Sequence, residues 1–488
     1  MAIVPGMSLR KTFGATLFLC ATSTLFAVPV YWVNPGQGLF SDPSNWLSNG
    51  VAILPTASSD TRVNNGGTAI IDSTMSISIQ TLQIGDTNST TGFVQMTGGS
   101  LTQSSDIRAG GTATSGGGTG VFELDAGTVL LTGGNLNIGF GTTAVGTYNI
   151  FGGSIQVNTT GAILAVGNRG TGTVNQTNGS IYLRTATSLA QLGRNAANAT
   201  SFGTYNLSGG TLAAARLQFG NANGTTNIST NIFNLSGSGI LICNSISNIN
   251  TTASNVFNFT GGTMTVNTSR ISITNNGGVF SPSTPDFANA NGTNLASLPI
   301  DPIGTATFLA GNTYIQTSNG TLAIDIAGDT SFDFVSIDTN APFAQPSSID
   351  GTIAVNLLNG YVPALGQTFD ILKAVIVAST ANVTANNGAG FSATVVGFAD
   401  PGGGPGFEKL RLTVTTQPVV APQLSAAAVG NSVQITFTNT PGHTFSMLAS
   451  SAVDGSSTKV GTTTESPAGQ YQFSDSLGAA RFYRVAFP

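Results

Sequence analysis

The stretch Tyr205-Asn206-Leu207-Ser208-Gly209-Gly210-Thr211-Leu212 decides the fold. Aromatic, polar and aliphatic residues alternate, a glycine pair interrupts, and a hydroxyl and an aliphatic residue resume the pattern. The same pattern recurs about Gly99, Gly127, Gly153, Gly179, Gly210, Ser238 and Gly262, at spacings of 28, 26, 26, 31, 28 and 24 residues. Five positions before these centres stand Val94, Phe122, Tyr148, Val174, Tyr205, Phe233 and Phe257. Three before stand Met96, Leu124, Ile150, Gln176, Leu207, Leu235 and Phe259. Two after stand Leu101, Val129, Ile155, Ile181, Leu212, Ile240 and Met264, and four after stand Gln103, Leu131, Val157, Leu183, Ala214, Ile242 and Val266. Columns of period two mean strands with one buried face, and no 3.6-residue period is sustained anywhere.

Strand signals return after most centres, as in Leu136-Asn137-Ile138-Gly139, Ala165-Val166-Gly167, Gln191-Leu192-Gly193 and Leu217-Gln218-Phe219-Gly220. A repeat of about 27 residues therefore supplies about three short strands with Gly and Asn corners. Such a unit cannot bury its own apolar face, so neighbours must stack. The expected fold is all-β: a parallel, right-handed β-helix of about seven or more coils. Seven coils at about 4.8 Å would span on the order of 34 Å. β-propeller blades need about 40 residues and fit this spacing less well.

The flanks differ from the repeat. Arg10 and Lys11 precede the mostly apolar Phe13 to Ala21, and small residues run to Ala27, which reads as a secretory signal over 1–27. The apolar run is too short for a spanning helix. Residues 28–66 hold both tryptophans, Trp32 and Trp46, and are expected to cap the first coil. The repeat region is placed at 67–290, a β-rich capping region at 291–415, a linker at 416–423 and a small β-sandwich at 424–488. With Cys20 removed in the leader, only Cys243 remains, so no intrachain disulfide or thiolate cluster is expected.

Composition narrows function. Charged residues make up 7% of the 488, and the net charge is −5. No basic field exists to attract nucleic acid. His443 is the single histidine, which argues against His-based catalysis and multi-His metal sites. No acidic residue lies between Asp125 and Asp286, so no carboxylate pair and no acid-built Ca²⁺ site can form within that stretch. The carboxylates of the first coils are Asp60, Asp72, Asp86, Asp106, Glu123 and Asp125. Arg169, Arg184, Arg194, Arg216 and Arg270 make the acid-free stretch basic. A groove for an acidic glycan is one reading, but their offsets from the repeat centres differ, so isolated solubilising arginines are expected instead.

Some residue sets remain as candidates. Asn149, Asn175, Asn206, Asn234 and Asn258 share one column and are expected to point outward as an amide ladder. Asp325, Asp329, Asp333 and Asp338 could hold Ca²⁺ but lack the spacing of a calcium loop. Gly139-Phe140-Gly141-Thr142-Thr143-Ala144 matches a dinucleotide fingerprint, yet a strand follows and not a helix. His443, after Pro441-Gly442, reads as a turn residue, and Cys243 as a small turn or core residue beside an inward Ile242.

The opening Tyr31-Trp32-Val33-Asn34-Pro35-Gly36, with Phe40-Ser41-Asp42-Pro43-Ser44-Asn45-Trp46, resembles the start of large secreted bacterial repeat proteins. The Tyr205–Leu212 unit is similar to autotransporter-associated β-strand repeats. Gly351-Thr352-Ile353-Ala354-Val355 and Gly366-Gln367-Thr368-Phe369-Asp370-Ile371-Leu372 resemble the end of such passenger solenoids, and Arg481-Phe482-Tyr483-Arg484-Val485 a C-terminal β module of the same class. The resemblance implies a secreted or cell-surface β-helix with an adhesin-like or structural role. No membrane barrel follows the repeats, which departs from true autotransporters. The expectation is a non-enzymatic protein without cofactor, metal or catalytic residues, meeting an extracellular glycan or cell-surface component. The alternative is a polysaccharide-binding or polysaccharide-degrading β-helix.

Overall fold

The computed structural model describes residues 27–111, 116–194, 201–220, 230–249, 254–290, 294–338, 346–375, 377–398, 406–420, 422–453, 455–476, 478 and 481–487. The leader expected over 1–27 lies outside them except for Ala27. The fold is all-β, a parallel β-solenoid of about 12 turns followed by small antiparallel sheets.

Each coil places one strand in each of three sheets. In one coil these are Val145–Ile150, Ser154–Val157 and Ile163–Val166; in the next, Thr171–Gln176, Ser180–Leu183 and Leu189–Leu192. Pairing is parallel and in register. Tyr148 lies over Val174, then Tyr205 and Phe233, while Ile155 lies over Ile181 and Leu212. Side chains alternate inward and outward, and the inward columns form one continuous core from Val30 to Val414. Three members of the inward column that runs through Leu124 and Ile150 are amides. Gln176 accepts from Tyr205 Oη and donates to the carbonyls of Gly179 and Thr211; Asn275 and Gln316 bridge coils in the same manner. Their polar atoms are thus satisfied inside an apolar interior.

Two glycine columns shape the corners. Gly153, Gly179 and Gly210 take φ of 65°, 69° and 71° between the first and second sheets, a left-handed conformation that side chains resist. Gly120, Gly146, Gly172 and Gly203 pair with one another at the start of the first sheet. A Cβ on Gly172 would overlap the Gly167 nitrogen and sit 2.6 Å from the Ile138 carbonyl oxygen. The corner therefore closes only around a bare backbone.

The register departs from the sequence pattern at one unit. Leu241 and Cys243 face inward, paired with Leu212 and Val266, whereas Ile240 is 38% exposed and Ile242 points outward. Leu241 stands six positions after Leu235, where Leu212 stands five after Leu207, because the turn Ser236 to Gly239 carries an extra residue. A one-residue slip exchanges the two faces of a strand. Cys243 is consequently a core residue, and burial pushes its thiol pKa well up.

The parallel stack does not end where the motif fades near Ser281. Thr263–Arg270 pairs onward with Val279–Ser281 and Thr305–Phe308, and coils continue to Asn382–Ala385. The antiparallel pair Gly390–Phe398 and Phe407–Thr416 then covers Thr368–Ala374 and closes that end. At the other end Trp32 and Trp46 pack edge to face at 4.9 Å, with Phe40 on Trp46, and Trp46 Nε1 donates to the Phe40 carbonyl. Beyond 424, sheets of four and three antiparallel strands enclose Ile435, Phe437, Phe445, Met447 and Tyr471.

The glycine column yields a test. Gly172→Ala should destabilise the fold by about 1–3 kcal/mol through overpacking against fixed backbone. Gly397→Ala should be nearly silent, because nothing lies within 4 Å of its Cβ position. Guanidinium denaturation of the two variants would compare them.

Candidate functional site

The outer face of the first sheet carries the asparagine column. Asn175 Nδ2 donates to Asn149 Oδ1 at 3.0 Å, Asn206 to Asn175 at 2.8 Å, Asn234 to Asn206 at 2.7 Å and Asn258 to Asn234 at 2.7 Å. The expected amide ladder is present, each link spanning one coil. Thr147, Thr173 and Thr204 form the parallel column beside it. In-register stacking sets the link length, since adjacent strands lie about 4.8 Å apart.

The carboxylates of the first coils are tied into local networks. Arg62 pairs with Asp60 at 2.6 Å and with Asp86 at 3.1 Å. Burial opposes charge on Asp60, but hydrogen bonds from Thr81, Arg62 and Gln83 and the Arg62 charge hold its carboxyl below the usual range. Asp106 pairs with Arg108 at 2.9 Å and accepts the Asn135 N–H. Asp72 accepts the backbone and hydroxyl of Thr74 in a turn. Glu123 and Asp125 share the Gln95 amide, at 3.0 and 2.9 Å.

The arginines of the acid-free stretch do separate things. Arg184 donates twice to the Ala290 carbonyl, and Arg216 donates to the Thr187 carbonyl. Arg169 stands at a left-handed corner with φ of 76°, bridged to Phe140. Burial lowers the Arg194 pKa, with the Asp106 charge opposing. Arg270 is exposed at the rim of a cavity.

Arg184 belongs to a feature the sequence pattern did not reveal. Residues 282–290 and 294–304 lie outside the stack and against the second sheet as a strap, tied at its base by Thr284–Pro285 against Ile300–Asp301. Phe287, Ala290 and Leu298 of the strap bury Tyr182, Ala213, Ala215 and Ile242. The signal was in the sequence: three successive outward positions of the second sheet, Tyr182, Ala213 and Ile242, are not polar.

The four aspartates after the repeats do not converge. Asp325 and Asp333 are neighbours, with Asp333 accepting the N–H groups of Asp325 at 2.9 Å and Gly304 at 2.7 Å. Burial raises the Asp333 pKa to about 7, against those two bonds. Burial also raises Asp325, which accepts from Asn356. Asp329 accepts from Tyr361 and Gln367, bonds that hold it below the usual range. Among the described residues no group of three or more His, Cys, Asp or Glu could hold a metal ion. Gly139 begins a corner that leads into Val145–Ile150, so the dinucleotide-like match has no helix to offer a phosphate. The His443 ring packs against Phe487 and Phe445, and its backbone N–H donates to Tyr471 Oη.

No protein-family model matches the chain, and no curated protein sequence matches it. Among the described residues no helix is long and apolar enough to cross a membrane.

Two measurements follow. Asn206→Ala removes two ladder bonds and should cost on the order of 1 kcal/mol per bond in urea denaturation. Asp333 contributes stability in full below the unfolded carboxyl pKa of about 4, and that contribution is lost as pH rises through its folded value of about 7. The stability of Asp333→Asn relative to the native chain should therefore improve steadily from pH 4 to pH 8. Equal pH profiles for the two proteins would show that the carboxyl does not titrate in this way.

Proposed function

We propose that the chain is a secreted or cell-surface protein with a structural, adhesin-like role and no catalytic activity. The observation that carries this reading is the face formed by Asn149, Asn175, Asn206, Asn234 and Asn258, whose amides bond to one another along the stack. A surface of neutral, mutually satisfied amides suits broad contact and offers no acid, base or nucleophile. The leader-like opening with Arg10 and Lys11 and the similarity to autotransporter-associated repeats support an extracellular location. The carboxylates of the first coils are engaged by Arg62, Arg108, Thr74 or Gln95, which favours a structural role for them.

A polysaccharide-binding solenoid is the second reading, favoured by the cavity at Arg270. Protease shaving of intact cells should release fragments of the chain, and the purified protein should leave acidic and neutral polysaccharides uncleaved. Release of reducing or unsaturated ends from any of them would overturn the non-enzymatic reading, and full protection from shaving would overturn the surface location.

A further inference from the structure

The corner between the third and first sheets changes character partway along the solenoid. Through Gly120, Gly146, Gly172 and Gly203 it is closed by bare backbone. The next two members of that column are Asn231 and Asn255. Asn231 is fully buried and donates to Asn255 at 2.7 Å, and Asn255 donates to Asn248 at 2.8 Å. A chain of carboxamides thus leads from the interior towards the surface.

It ends at a cavity of about 280 Å³ lined by Phe219, Asn248, Asn255, Phe257, Arg270 and Asn312, among others. Phe257 terminates a stacked aromatic column, 5.5 Å from Phe233 with the rings within 5° of parallel. Its strand, Ser254–Phe259, pairs with the following coil at Phe259 and Asn275 alone, and the Phe257 ring stays partly exposed. The Arg270 side chain makes no hydrogen bond or ion pair with any described residue, unlike those of Arg62, Arg108, Arg184 and Arg216. No carboxylate is among the described lining residues.

We propose that this cavity binds one sugar residue bearing a carboxylate, within a glycan chain that continues into solvent. The inference rests on the extracellular reading and names the chemistry of its partner. The guanidinium supplies a paired-donor fork that matches a carboxylate. The carboxamides both donate and accept, as ring hydroxyls require. The exposed part of the Phe257 ring offers an apolar plane to the C–H face of a pyranose. The volume is at the small end of ligand sites and suits a single ring.

The test is calorimetric titration of the full chain with a short uronic-acid oligosaccharide, its neutral counterpart and a sulfated oligosaccharide of equal length. The uronic-acid probe should bind, with the neutral one at least about tenfold weaker. Arg270→Gln should weaken uronic-acid binding by about tenfold or more, and 0.5 M salt should weaken it in the native chain. Arg216→Gln, outside the cavity, should bind as the native chain does. No binding at millimolar probe, unchanged binding by a folded Arg270→Gln variant, or preference for the sulfated probe would overturn the proposal. If attachment of the protein to surfaces persisted in Arg270→Gln while uronic-acid binding was absent from the native chain, the cavity proposal alone would fall.

Discussion

Parallel, in-register pairing between coils is the interaction on which the rest depends. A single coil here has three short strands and almost no interior. Its backbone donors and acceptors are satisfied only by the coils before and after it, and its inward side chains are buried only between those neighbours. Once that pairing is set, much else follows geometrically. Equivalent residues stand one strand spacing apart, so aromatic rings stack, asparagines chain their amides, and corner glycines recur at the same place. The register of one column therefore carries the register of all.

This dependence explains what could be read from the residues. The inward columns through Phe122, Tyr148 and Tyr205, or Val129, Ile155 and Leu212, repeat because each coil must meet the next. The asparagine ladder was readable for the same reason. Ile240 and Ile242 misled because an aliphatic residue at either parity satisfies a hydrophobic column, and only turn length separates them from Leu241 and Cys243. Beyond 304 the strand alternation was readable but the motif spacing was not, because the strap residues interrupt the repeat while the parallel pairing resumes after them. The cavity at Arg270 was not readable as a site. It requires knowing that Asn231 and Asn255 continue the column of Gly172 and Gly203.

Charge distribution takes on a physical meaning in this setting. Outward positions on a parallel stack repeat about every 4.8 Å, so like charges in one column would repel without relief. Neutral amides and hydroxyls avoid that penalty and add cross-coil hydrogen bonds. Where carboxylates do occur, as at Asp60, Asp86 and Asp106, arginines stand directly beside them. Asp333 departs from this economy, being buried without a cationic partner among the described residues and anchored by two backbone N–H groups.

The antiparallel hairpin of Gly390–Phe398 and Phe407–Thr416 has a consequence for growth. An open stack of parallel strands presents the same hydrogen-bonding edge at its end as at every level, which makes it a template for further chains. By pairing antiparallel along Thr368–Ala374, the hairpin occupies the edge that an incoming parallel coil would need. The protein thereby keeps the stacking chemistry of a fibre within a particle of fixed length, and that length can change by whole coils without altering either terminus.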